Sequence, residues 1–147
     1  MPVIGVTRLR LRSIRFLPGF AVYALRSLRQ ARFATGFLGG SLLNDYERTF
    51  WTMTAWDDEA AMRRFMNAGA HVAAMRRLAG WCDEASVVHW QQSGTALPDW
   101  AEADTKMREE GRPSRVTHPG PCHANLSYRR PRLTATVPIQ PRGANKV

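Results

Sequence analysis

Lysine is almost missing from this chain, and cysteine is scarce. Of 21 basic residues only Lys106 and Lys146 are lysine, and the rest are arginine. The two cysteines, Cys82 and Cys122, stand in unlike stretches, which argues against a disulfide framework and fits a cytoplasmic location. No apolar run approaches the ~18–20 residues of a membrane span. The longest N-terminal stretch without charge, FLPGFAVYAL (16–25), is broken by Pro18 and Gly19 and has no cleavage-like end. Neither a signal peptide nor a membrane partner is therefore expected. A P-loop, a dinucleotide fingerprint, a zinc-protease signature, a Gly-x-Ser-x-Gly elbow and internal repeats are all missing. Proline is sparse in the first two thirds, since seven of nine prolines lie at or beyond Pro98.

What is present is a chain of 147 residues, 44% hydrophobic, with a net charge of +9. That length suits one domain with a core. A basic surface favours anionic partners but selects no fold. Hydrophobic periodicity ends near Pro98, so residues 1–97 are expected to form the domain and 98–147 a short helix followed by an extended or disordered tail.

GVTRLRLRS (5–13) alternates strictly, with Thr7, Leu9 and Leu11 on one side and Arg8, Arg10 and Arg12 on the other, which predicts a strand. Pro18 suits a helix start, and Ala21, Leu25, Leu28 and Ala31 at helical spacing predict a helix over 18–32. TGFLGGSLLND (35–45) reads as a strand in which Gly39 and Gly40 mark a bulge or a close backbone approach. RTFWTMTAW (48–56) is aromatic and β-branched, hence a third strand. Asp57 and Asp58 can then cap a helix from about 58. That helix bends near Asn67 to Gly69 and stops at Gly80. DEASVVHWQ (83–91) is the fourth strand, and PDWAEADTKMREEG (98–111) a last helix. The order β-α-β-β-α-β is the ferredoxin-like arrangement, with sheet order 4-1-3-2 and both helices on one face. The arginines of the first strand then project from the bare face. They must stay wet, meet carboxylates such as Glu84, or enclose a polar cavity, because lone buried guanidinium groups are very costly.

TRLRLRS, FLGGSLL, RTFWTMTAWDDEAAMRRFMNAGAH and WCDEASVVHW together resemble the dimeric α/β-barrel proteins of the antibiotic-biosynthesis monooxygenase superfamily. More closely, they resemble an uncharacterised bacterial branch related to spheroidene monooxygenase. The resemblance covers about 6–92, and EEGRPSRVTHPGP in the tail matches that branch as well. It implies a homodimer whose sheets face each other around a pocket in each subunit. Members include cofactor-free oxygenases of aromatic substrates, haem-degrading proteins and haem enzymes, so haem is a possible cofactor. In the haem-degrading relatives the histidine ligand sits about one turn after His71, where this chain has Met75. The chain is also much shorter than carotenoid-modifying relatives.

His71 shares a helical stripe with Met75 and Leu78 and is the candidate base or haem contact. The plainer alternative is a helix-start histidine bonded to backbone. Arg8, Arg10, Arg12, Trp51, Trp56, Glu84 and Trp90 are the candidate ligand-binding residues, although the tryptophans also suit a core. Cys82 reads as a small structural hydrophobe. His118, Cys122 and His123 fall one ligand short of a structural zinc site, so no metal is expected. The reading favoured is a monooxygenase-like protein acting on, or binding, a hydrophobic or aromatic small molecule. A non-catalytic ligand- or haem-binding dimer comes second. An RNA-binding module ranks last, because the central strands lack the Lys/Arg-Gly-aromatic pattern.

Overall fold

The computed structural model describes residues 1–142. The end of the tail, including Lys146, lies outside the described residues. The elements are β1 (Val3–Leu11), a 3-10 turn (Ile14–Phe16), α1 (Leu17–Phe33), β2 (Phe37–Asn44), β3 (Thr49–Trp56), α2 (Glu59–Met66), α3 (Gly69–Trp81), β4 (Cys82–Gln91), α4 (Trp100–Glu110), β5 (Arg112–Pro113) and β6 (Thr136–Ile139). They form a mixed α+β fold around one antiparallel sheet of order β5-β4-β1-β3-β2-β6. The inner four strands keep the expected 4-1-3-2 order. Segments of the tail pair with both edges, β5 with β4 and β6 with β2. That covers backbone groups which open edges would leave unpaired.

The strict alternation in β1 separates two interiors. On the odd side, Leu9 and Leu11 pack with Phe20 of α1, Ala74 and Leu78 of α3, and Cys82 and Ala85. Val3 joins Ala31, Phe37, Trp56, Met62 and Phe65. On the even side, Ile4 and Val6 pack with Trp51, Met53 and Val88, and Trp100, Ala103, Met107 and Tyr128 cover them. The segment after 98 therefore contributes to the core. Its expected helix forms one to two residues inside the predicted limits. The face expected to be bare is instead covered by the chain's own α4 and Tyr128, because a face carrying Ile4, Val6, Trp51 and Met53 is too apolar to leave wet.

Local chemistry accounts for the remaining boundaries. The Asp58 side chain accepts from Ala61 N at 2.8 Å and caps α2, as its position predicted. The bend expected near Gly69 is a full break between two helices, and Gly69 takes φ +56, a left-handed conformation that favours glycine. Gly80, expected to end the helix, does not. The helix runs on to Trp81 and passes directly into β4, with Trp81 held against Phe16 and Tyr23. The β2–β3 register shifts between Phe37 and Gly39, and a side chain at Gly40 would collide with the Met53 carbonyl. Both glycine readings of β2 thus hold, one a bulge and the other a close approach. Among the described residues no helix is long and apolar enough to cross a membrane.

Because Trp100 anchors α4 on the sheet, Trp100→Ala is expected to destabilise the fold by about 3–5 kcal/mol in urea unfolding. Thr105→Ala, on the exposed side of the same helix, is expected to change it by less than about 0.5 kcal/mol.

Candidate functional site

The helix-facing side of the sheet is not filled. Small and polar residues stand at its centre: Gly5 and Thr7 on β1, Thr52 and Thr54 on β3, Ala24 and Ser27 on α1, and Ala74 on α3. They leave a cavity of about 350 Å³ between sheet and helices, within the size range of small-molecule sites. Phe20, Leu28, Phe50, Met62, Phe65, Met66, Met75 and Leu78 complete a mainly apolar wall. His71, His89 and Asn44 add polar groups, and among the described residues no Arg or Lys lines the cavity.

His71 is held by the break between α2 and α3. Gln30 of α1 donates to Phe65 O at 3.1 Å and Ala68 O at 2.9 Å, and its Oε1 accepts from His71 N at 2.9 Å. One amide thus satisfies backbone groups that the break frees. His71 Nδ1 lies 3.2 Å from Met66 O. A carbonyl only accepts, so Nδ1 carries the proton and a neutral ring keeps its lone pair on Nε2. Burial holds the His71 pKa below the ordinary histidine value, against a smaller upward effect of the Met66 bond. The backbone-bonded and cavity-lining readings of His71 thus describe the same side chain. His89 is also lowered, first by burial and then by Arg112 and Arg63.

Trp56 is fully buried, stacks on Phe65 at 5.0 Å and lines the cavity, yet among the described residues its indole N–H has no hydrogen-bond partner. A buried donor left unsatisfied costs about 1–3 kcal/mol. Trp51 borders the cavity from its strand, but its ring lies on the other face against Trp100 and Tyr128, and its N–H donates to Asp45 at 2.9 Å.

The other sequence candidates sit elsewhere. Arg8, Arg10 and Glu84 line a second, half-open cleft of about 340 Å³ beside Tyr128 and Arg129, across the sheet from His71. Arg8 Nη1 donates to Glu84 Oε1 at 2.8 Å, and Arg10 Nη1 reaches Glu84 Oε2 at 3.2 Å and Asp83 Oδ2 at 2.9 Å. The Arg8 guanidinium lies 4.1 Å from the centre of the Tyr128 ring, whose hydroxyl donates to Asp104 at 2.7 Å. Arg12 reaches neither cavity. It lies past the end of β1, where its Nε donates to Gly80 O at 2.8 Å and its guanidinium covers Phe16. Trp90 lines neither cavity and packs beside the core under α4, with Lys106 over its ring. The candidates therefore divide into two groups on opposite faces of the sheet: Trp56 and His71 share one cavity, Arg8, Arg10 and Glu84 the other.

Sequence reasoning missed Gln30, His89, Thr52 and Thr54. The last two were detectable, because in TFWTMTAW the positions between Phe50 and Trp56 on the helix-facing side are both threonine. Cys82 is buried with its thiol pushed up to about 12, by burial first and Asp83 second, which keeps it protonated and unreactive. His123 Nδ1 accepts from Ala85 N at 3.2 Å.

Two outcomes follow from these placements. Glu84→Ala should destabilise by about 3–5 kcal/mol by leaving the buried Arg8 guanidinium without a carboxylate, whereas the double change Arg8→Met with Glu84→Leu should recover most of that in urea unfolding. For the histidines, a lowered folded pKa means that the unfolded chain binds more protons between that pKa and about 6.5. Stability should therefore fall as pH drops below about 6.5, and urea midpoints of His71→Phe across pH 5–8 should depend less steeply on pH than those of the wild type.

Solved structures share this architecture. SnoaB, a cofactor-independent oxygenase from Streptomyces nogalater, superposes with a TM-score of 0.54 at 17% identity, over 67% of this chain and 98% of that one. A protein from Mycobacterium tuberculosis gives 0.59 at 10% identity, over 66% and 100%. An antibiotic biosynthesis monooxygenase gives 0.56 at 12%, over 63% and 99%. At these identities the likeness is one of fold. No curated protein matches the chain. A family profile does match, over residues 17–135, and the chain belongs to that family, described as "Domain of unknown function (DUF3291)".

Proposed function

We propose that this protein binds a hydrophobic or aromatic small molecule in the cavity between helices and sheet and acts on it as a cofactor-free oxygenase. The observation that carries this reading is the unpartnered indole N–H of Trp56 in the wall of a largely apolar cavity that also holds a neutral histidine. A ligand carbonyl or phenol oxygen would satisfy that donor. His71 Nε2 would take a proton from an acidic C–H or O–H of the bound molecule, and the Trp56 N–H would stabilise the resulting oxyanion. A substrate CH2 flanked by activating groups supplies all the electrons needed. With O2 it becomes C=O, and the second oxygen atom leaves as water.

SnoaB, a cofactor-independent oxygenase, supports this reading through shared fold. The kinship to spheroidene monooxygenase belongs to the same reading and makes a polyene worth testing beside an aromatic. Haem suits the cavity poorly. Its propionates would find no Arg or Lys in the lining, and Met75 stands where haem-degrading relatives place their ligand. A homodimer with facing sheets would require α4 and Tyr128 to move aside, so two copies would pair more readily through another surface. Unpaired Cys82 and Cys122 fit a cytoplasmic setting.

The test uses calorimetry with an anthrone and with a polyene, followed by oxygen uptake. The wild type is expected to bind one of them, and Trp56→Phe to bind it about 3–10-fold more weakly through loss of one hydrogen bond. His71→Ala is expected to retain affinity and lose about 100-fold or more in oxygen uptake. Binding without uptake by the wild type would favour the non-catalytic ligand-binding reading. Equal affinity in Trp56→Phe would remove the role given to Trp56.

A further inference from the structure

The first acid in the chain is Asp45, and seven arginines precede it. The asymmetry extends into α1 and α3. Neither α1 nor α3 contains an Asp or Glu, while Arg26, Arg29 and Arg32 stand on α1 and Arg76 and Arg77 on α3. Among the described residues, Arg26, Arg29, Arg76 and Arg77 form no salt bridge.

The inner face of α1 packs Phe20 and Ala31 and borders the cavity. On the opposite side, Val22, Leu25, Arg26, Arg29 and Phe33 fall within an arc of about 100° at 3.6 residues per turn. The apolar members of this arc are open to solvent, with Leu25 67%, Phe33 52% and Val22 47% exposed. Apolar side chains set among arginines that form no salt bridge, with no acid on the helix, make an amphipathic surface; Arg142 lies over the Phe33 ring at 4.6 Å, and Leu25 and Val22 stay exposed.

We propose that the outer face of α1 docks on an anionic lipid bilayer, lying in its surface with Leu25, Val22 and Phe33 in the headgroup–acyl boundary and Arg26 and Arg29 on lipid phosphates. Arg29 falls between Leu25 and Val22 on this arc and Arg26 at its edge, so their long side chains can rise to the phosphates while the apolar neighbours enter the boundary. Each arginine near a negatively charged leaflet adds to the attraction. Charge decides against a second copy of the chain, because an isologous pairing of this face would bring the same arginines together without carboxylates. It also decides against RNA, which would place phosphates over Leu25 and Val22 and leave the apolar surface unsatisfied. The expectation of no membrane partner rested on the lack of a spanning segment, and a helix lying in the surface needs none. Because one helix carries both this face and part of the cavity wall, an apolar ligand would leave the bilayer beside the site that receives it. The docking itself does not depend on the oxygenase reading.

The test is co-sedimentation with vesicles of phosphatidylcholine alone and of phosphatidylcholine with about one third phosphatidylglycerol. Binding to the anionic vesicles is expected, with much weaker binding to the neutral ones. Leu25→Asp should weaken it at least ~10-fold, and Arg26→Gln with Arg29→Gln about 30-fold. Both variants should retain wild-type circular dichroism and melting. No binding to anionic vesicles would overturn the proposal. So would full binding by Leu25→Asp, which would reveal only diffuse attraction of a basic chain. A dimer by light scattering that Leu25→Asp dissolves would assign the face to a second copy. Retention of single-stranded RNA that depends on Arg26 and Arg29 but not on Leu25 would assign it to nucleic acid.

Discussion

The ion cluster of Arg8, Arg10, Glu84 and Asp83, buried at Arg8 and Glu84 and half-buried at the other two, is the constraint around which the structure is arranged. A strand that alternates leucine with arginine at the centre of a sheet cannot hide both sides in hydrocarbon. Here Glu84, opposite Arg10 in the register, accepts from both guanidinium groups. Tyr128 lies against the Arg8 guanidinium, and Trp51, opposite Arg8, donates to Asp45. Such a cluster adds little net stability, because desolvation offsets much of the attraction, yet removing one member leaves a stranded charge. It specifies which face of the sheet α4 and Tyr128 must cover, and in which register β4 must pair.

With one face closed in this way, the other is free to be hollow. The α4 side is packed with Ile4, Val6, Trp51 and Met53, all nearly fully buried. The helix side sets Gly5, Thr7, Thr52 and Thr54 at the corresponding depth and leaves space between sheet and helices. A fold that buries bulky side chains on one face and small polar ones on the other has placed its interior volume where α1 and α3 meet the strands. Gln30 links that volume to the broken helix pair, since it satisfies the free backbone at Ala68 and orients His71 in the same contact.

Much of this was legible in the sequence, for physical reasons. Period-two alternation in RLRL and aromatic density in TFWTMTAW marked the central strands, and Asp58 before EAAMRRF marked a helix start. Gly39 and Gly40 marked a kinked strand. The arginines of β1 showed that one face needed a special solution but could not show which one. That depended on Trp100 and Tyr128, which lie in a proline-rich stretch with weak periodicity and find the sheet only through tertiary contact. For the same reason the sequence pointed to a pocket beside the arginines, where a cleft does lie, and gave no sign of the more apolar cavity across the sheet. The Gly80 stop failed because aromatic contacts of Trp81 outweigh the glycine preference for a helix end. Gln30 was invisible because its role exists only once α1 lies beside the α2–α3 break.

The central claim is that the working interior lies between helices and sheet and that Trp56 meets what enters it. Of the five tryptophans, Trp56 places a buried indole N–H in the cavity wall without an acceptor among the described residues. An 15N–1H spectrum of the indole groups, recorded as an aromatic ketone is added, tests this most directly. The account predicts that the Trp56 resonance moves and becomes protected from solvent exchange, while that of Trp51, already bonded to Asp45, stays in place. Movement confined to Trp51, Trp90 or Trp100 would put the ligand on the α4 side of the sheet and contradict it.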